Sequence, residues 1–332
     1  MRWFFNRNQG DSMKIVALDI GGANTKILVW EDGKSESQLE YFPFWTEKQR
    51  FKDFLSSLDL DADIVAVTMT AELCDVFSSK EEGAQFIADC CFDVFERPLF
   101  LTSHSDLRRH DEIKDFKTLA ATNWLASKYY LEKRFDEGVL VDVGSTTTDI
   151  IAFGPGASGF ASDFERLKTG RLLYTGFLRT PANTIVTSVP VNGSLVPVAS
   201  EYFAITADVY NILWGVAYTC DTPDGAGKTY DDSLRRVSRL LCAEPDEVKD
   251  EVLGICEYIH DVQVEKIAGA IENAVEDFES EEIIAAGVGR RLAIEAAKKI
   301  EIDALDLETQ VDIAWNLPCL GLLELVLDSR EV

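Results

Sequence analysis

Two short stretches of the chain carry residue types suited to holding phosphate. Residues 17–30 read ALDIGGANTKILVW, and residues 140–153 read LVDVGSTTTDIIAF. Each has an apolar run, an aspartate (Asp19, Asp142), a nearby glycine (Gly21, Gly144), a threonine (Thr25, Thr148) and a second apolar run. A tight turn of glycine and small polar residues aims several backbone N–H groups at one point, and such a nest attracts phosphate without net positive charge. Gly22 and Asn24 complete the first turn. Thr25, Ser145, Thr146 and Thr147 add hydroxyl donors, and Lys26 adds a local cation. Asp19 and Asp142 stand at strand ends and suit Mg²⁺ held through water, since that ion commonly takes one or two carboxylates plus substrate phosphates. Two facing loops of this kind predict a diphosphate, or a nucleotide's phosphate tail, gripped from both sides. Plain hairpins, with glycines serving only the turn, are the alternative; the repeated Asp-x-Gly-x-x-x-Thr spacing favours phosphate.

The surrounding pattern must position these loops. Residues 14–20 and 26–31 predict two strands joined at Gly21-Gly22, where glycine would supply the positive φ of the turn. Residues 64–69, IVAVTM, read as a buried strand. A helix over 80–95, a strand over 98–102 and a long helix over 115–134 follow, and then the second hairpin at 139–153. The residues after Gly154 form a turn-rich link; 169–200 mix threonines, prolines and short β-rich runs, and helices dominate from 204. Residues 282–297, EIIAAGVGRRLAIEAA, predict a strand, a turn at Gly287 and Gly289, and a helix, with a last strand and a helix over 317–327 beyond. Substrate can approach the backbone at that glycine turn, although strand–helix packing explains it equally. The expected division is an N-terminal extension over 1–13, a first lobe over 14–138 and a second over 139–332, with a mixed β and helical insertion at about 165–275.

A chain of 332 residues suggests two domains. With 32 basic and 58 acidic side chains its net charge is −26, which argues against nucleic acid or an anionic membrane as partner and leaves small molecules. An anionic substrate then needs local help from backbone N–H groups, arginine or metal. No apolar run approaches the ~20 residues of a membrane span. Seven cysteines without a CxxC pair fit reduced thiols in the cytoplasm. Three histidines with no ligand spacing give little support to zinc or Ser-His-Asp chemistry. Homo-oligomerisation is left open.

The loops DIGGANTK and DVGSTTTD resemble those of the actin, sugar kinase and Hsp70 superfold in its hydantoinase A/oxoprolinase branch. The blocks TMTAELCDVF (68–77), LAATNWLA (119–126), ERLKTGRLLYTGFLRTP (165–181), EYFAITADVY (201–210) and CDTPDGAGKT (220–229) are similar to an archaeal and methylotroph group linked to one-carbon carrier biosynthesis. The resemblance implies an α/β, two-lobed fold of the duplicated ribonuclease H type with a central cleft. It also implies a transferase that joins γ-glutamyltyramine, through its phenol oxygen, to the diphosphate ester of an aminomethyl-furanmethanol and releases pyrophosphate.

The same blocks supply candidates for the organic half of that reaction. Arg179 can pair with diphosphate or a glutamyl carboxylate, or form a surface ion pair. Glu72 and Asp208 are candidates for the general base or for holding the substrate's ammonium group, or else helix caps. Tyr174 and Trp124 can line an aromatic pocket, or pack in the core. Asn123 can bond substrate or close a turn. Positions 23–24 are Ala-Asn where oxoprolinase-type enzymes show Gly-Thr, and the large partner domains of those ATP-dependent amidohydrolases have no counterpart, which weakens a ring-opening activity. An ATP-dependent kinase or amidohydrolase, with ATP as cofactor, and a non-enzymatic nucleotide sensor are the competing readings.

Overall fold

The computed structural model describes residues 13–157 and 162–331. The expected N-terminal extension lies outside the described residues except for Met13, and so does part of the link after Gly154. The chain forms two compact units, one running to Asp136 and resuming at Asn316, the other Glu137–Trp315.

The first unit is built on six strands: β1 (Lys14–Ile20), β2 (Asn24–Glu31), β3 (Lys34–Tyr41), β4 (Ile64–Met69), β5 (Leu99–Leu101) and β6 (Leu107–Arg109). Their order is β3-β2-β1-β4-β5-β6. β1 pairs antiparallel with β2 and parallel with β4, so it is central and its residues from Ile15 to Ile20 are all buried. An apolar run with no alternation is what a strand covered on both faces requires. β3 is an edge strand, and its polar sequence KSESQLEY is largely exposed.

The helix expected over 115–134 is interrupted. A 3-10 turn spans Phe116–Leu119, Ala120 bridges to Met69 at the end of β4, and Ala121 is left-handed at φ +50°. Only Asn123–Glu132 is α-helical. Extending the β4 edge at Ala120 is incompatible with helical φ/ψ there, and the chain restarts its helix afterwards.

The second unit contains β7 (Gly138–Val143), β8 (Thr148–Phe153), β9 (Leu172–Leu173), a hairpin of β10 (Ser188–Val191) with β11 (Ser194–Pro197), β12 (Glu282–Ala286) and β13 (Asp303–Asp306). The main sheet runs β13-β12-β7-β8-β9, with β8 antiparallel to both β7 and β9 and β12 parallel to both β7 and β13. That is the order and sense of β5-β4-β1-β2-β3 in the first unit. The repetition therefore extends from one loop to an entire five-stranded sheet. The residues between β9 and β12 include the helices Thr206–Trp214, Tyr230–Arg239 and Val252–Phe278. The last of these packs on β7 and β8 and belongs to the main core.

One boundary differs from expectation. The terminal helix Leu317–Glu331, placed in the second lobe from sequence order, belongs to the first unit. Its apolar residues cover β1 and pack against the helix Asn123–Glu132. A Cβ on Gly321 would collide with the carbonyl of Ala126, so glycine permits this close crossing. Asn316 anchors the start of the segment by donating to Ile27 O (3.1 Å) and Ser37 Oγ (2.6 Å). Among the described residues no helix is long and apolar enough to cross a membrane.

Candidate functional site

In the first unit Asp19 lies opposite Lys26 and Ile20 opposite Thr25, and the turn closes with Gly21 N donating to Asn24 O at 2.9 Å. Neither Gly21 nor Gly22 has positive φ, contrary to the reason expected for them. Space is what they provide. A Cβ would lie 2.8 Å from Asn24 O at Gly21 and 2.9 Å from Cys74 Sγ at Gly22. Neighbouring amides use the turn's carbonyls: Thr70 N donates to Ile20 O, Phe44 N to Gly22 O and Phe42 N to Ala23 O, at 2.9–3.0 Å. The amides of Gly22 and Ala23 have no partner within the described residues.

The second turn is built alike. Gly144 N donates to Thr147 O at 2.8 Å. Phe177 N donates to Gly144 O at 2.9 Å, and Leu178 N and Arg179 N both donate to Ser145 O, at 3.0 and 2.9 Å. With its carbonyls held from one side, the turn leaves the amides of Ser145, Thr146 and Thr147 without a protein partner among the described residues. Unpartnered amides in succession at a small-residue turn are the kind of donor set that suits an anion.

Further sequence candidates gather at this second turn. Arg179 Nη1 bonds Thr146 Oγ1 at 3.3 Å. Gly287, left-handed at φ +87°, abuts β7: a Cβ there would overlap Asp142 Oδ1 and lie 2.5 Å from Val143 O. Gly289 N donates to Val143 O at 2.8 Å. Asp142, Gly144, Ser145, Thr146, Thr147, Arg179, Gly287 and Gly289 thus form one cluster inside the second unit. The approach that needs glycine at Gly287 is that of the protein's own β7, not of a ligand.

The two turns differ in charge. Asp19, 4% exposed, is paired with Lys26 Nζ at 3.4 Å. At the position matching Lys26 the second hairpin carries Asp149, which pairs with the buried Arg166. Thr25 is fully buried, and its counterpart Thr148 donates to Thr175 O at 2.7 Å, so these threonines point into the units rather than toward a ligand. Among the described residues no three His, Cys, Asp or Glu side chains are grouped to hold a metal. One carboxylate per hairpin fits only a hydrated ion that takes its remaining ligands from water and phosphate.

Most of the other candidates are buried. Asp208 is 0% exposed and accepts from Arg236, Tyr218 Oη (2.9 Å), Ser233 Oγ (2.9 Å) and Ile205 N (3.1 Å). Those bonds close it off from the role of general base. Asn123 Oδ1 accepts from Trp124 N at 2.9 Å and starts its helix, and Trp124 is buried in the core. Glu72 is buried in a 3-10 turn, with its backbone packed on Gly83. Tyr174 alone of this group is open, 60% exposed, and it lines a cavity of about 270 Å³ with Leu173, Thr175, Thr184, Ile185 and Lys266. Burial lowers the pKa of that lysine. Sequence reasoning missed Gly176, which packs directly on the second turn; it stands in the quoted block TGFLRTP, but nothing local marks its neighbour.

An α/β fold of two compact units, each built on the same five-stranded arrangement and opened by a glycine hairpin, is thus in place. Residues 63–314 match the hydantoinase/oxoprolinase family, and the chain belongs to that family. It is 33% identical over 320 residues to a Methanocaldococcus jannaschii protein named (4-{4-[2-(gamma-L-glutamylamino)ethyl]phenoxymethyl}furan-2-yl)methanamine synthase, covering 94% of this chain and 97% of that one. A Methanococcus vannielii protein of the same name is 34% identical over 167 residues, 49% of this chain and 75% of that protein. Among solved structures, the nucleotide-free structure of an ATP-dependent acetone carboxylase aligns with a TM-score of 0.60 at 8% identity, over 93% of this chain and 70% of that one. That likeness concerns the fold.

Proposed function

We propose that this protein is a transferase of methanofuran biosynthesis that couples the phenol oxygen of γ-glutamyltyramine to 5-(aminomethyl)-3-furanmethanol diphosphate, releasing pyrophosphate. Full-length similarity to the M. jannaschii synthase carries the reading. The second hairpin gives it a physical basis. A furan ring stabilises positive charge on its exocyclic carbon, so the difficulty lies in charge growing on the departing diphosphate. Preorganised donors aimed at developing charge are an effective response. The amides of Ser145, Thr146 and Thr147, with Arg179 beside Thr146, are such donors. The turn Gly21–Gly22–Ala23, with Asn24 and Lys26, is their counterpart in the first unit.

Asp142, half-buried beside the second turn, would hold a hydrated Mg²⁺, which would supply further neutralisation of the diphosphate. The phenol, of pKa about 10, is housed in this reading against Tyr174 in its cavity; its oxygen bonds the furan CH₂ as the carbon–diphosphate oxygen bond breaks, and its proton passes to the departing diphosphate. No nucleophilic protein side chain is required. The seven cysteines form no disulfide, and a reducing cytoplasm suits such thiols.

Incubating the pure protein with γ-glutamyltyramine, the furan diphosphate and Mg²⁺ tests this reading. Pyrophosphate and the coupled mass are expected. Intact substrates would refute the assignment, and ADP formed from ATP with a suitable acceptor would replace it with a kinase-like one.

A further inference from the structure

We infer that Gln263 is a positioning residue for the diphosphate-holding turn, an inference that rests on the function proposed for that turn. Gln263 lies on the helix Val252–Phe278 and is fully buried. Its Nε2 donates to Gly176 O and to Thr175 Oγ1, both at 2.9 Å. Its Oε1 accepts from Tyr210 Oη at 2.6 Å. A buried amide with all these groups engaged is fixed in one orientation, and removing it strands the partners it leaves.

Gly176 is the piece of chain on which the second turn rests. A Cβ there would lie 2.5–2.7 Å from backbone atoms of Ser145 and Thr146. Its N–H donates to Thr180 Oγ1 at 2.8 Å, and its carbonyl also accepts from Thr206 Oγ1 at 3.1 Å. The next three residues carry the amides that hold Gly144 O and Ser145 O. Force is therefore transmitted from Gln263 to Gly176, from there to Phe177, Leu178 and Arg179, and finally to the turn. Without the Nε2 bonds this cradle loosens, and the turn that carries the unpartnered amides is no longer held in one conformation. The loss falls on the diphosphate, not on the phenol acceptor.

The test uses the full chain with Gln263→Leu and Gln263→Met; Met matches glutamine in length and keeps the site filled. KM for the furan diphosphate should rise about tenfold in both, while KM for γ-glutamyltyramine stays within about twofold. By hydrogen exchange, the amides of Phe177, Leu178 and Arg179 should lose protection, while those of Ile283, Ile284 and Ala285 in β12 keep theirs. An unchanged diphosphate KM, equal rises in both KM values, or a uniform loss of protection would each overturn the inference. If the unaltered protein fails to couple the substrates, the proposed function falls, and the exchange experiment still decides whether Gln263 holds the turn.

Discussion

Asp142 and Asp208 lie in the same unit, and their surroundings assign them opposite roles. Asp142 stands half-buried at the end of β7 beside an amide-rich turn, whereas Asp208 is enclosed with Arg236. Asp142→Ala, and Asp19→Ala in the first hairpin, should each lower turnover about 10²–10³-fold while leaving far-UV circular dichroism unchanged. Near-normal turnover in both would remove these aspartates from the site. Asp208→Asn should instead act on stability. Breaking a buried pair leaves Arg236 partly uncompensated and costs roughly 3 kcal/mol, at the low end of such losses because Asp224 remains 3.1 Å from Arg236. Urea unfolding measures that loss, and kcat of the folded fraction should hold; a collapse of kcat at unchanged stability would restore Asp208 as a base.

At the scale of elements, the helix Lys80–Val94 offers a pH-dependent contact. The hydroxyl and amide of Ser78, joined by Lys48 at 3.2 Å, lower the Glu82 pKa from 4.5 to about 2. A carboxylate whose folded pKa is depressed contributes stability above its unfolded value and loses that contribution as pH falls toward the folded one. Glu82→Gln should therefore lower the melting temperature at pH 7 and flatten the stability curve between pH 4.5 and about 2, as read by thermal melts across that range. The crossing at Gly321 gives a second test. Gly321→Val must separate two helices and should cost about 1–3 kcal/mol in urea unfolding; a neutral result would mean the crossing relaxes freely.

Elements covered on both faces were legible in the sequence, because β1 and β4 carry the apolar runs IVAL and IVAV, which show no alternation. β3 was not, since KSESQLEY faces solvent at a sheet edge and carries no alternating pattern. Residues 115–134 read as one helix because the bridge between Ala120 and Met69 is a long-range event that no local pattern records. The hairpin glycines were found by their repetition, but the reason for them at Gly22 depends on Cys74, which only the fold brings near. Asp208 looked chemical for a similar cause: its partner Arg236 is distant in sequence.

For the molecule as a whole, a net charge of −26 must repel a diphosphate before the local donors can act. Raising ionic strength from about 10 mM to about 150 mM shortens the screening length from roughly 30 Å to 8 Å. Bulk repulsion is thereby relieved more than contacts at partly buried amides. The second-order rate constant for the furan diphosphate should then increase, roughly twofold, across that range of KCl. A steep fall would show that Arg179 and Lys26 dominate the approach.

The return of Leu317–Glu331 to the first unit also bears on how the polypeptide is born. Everything that Glu137–Trp315 needs for its own core has left the ribosome before the first unit receives its covering helix. The half that is translated first is accordingly the half that is finished last, and β1 must wait, uncovered on that side, through the synthesis of an entire neighbouring domain.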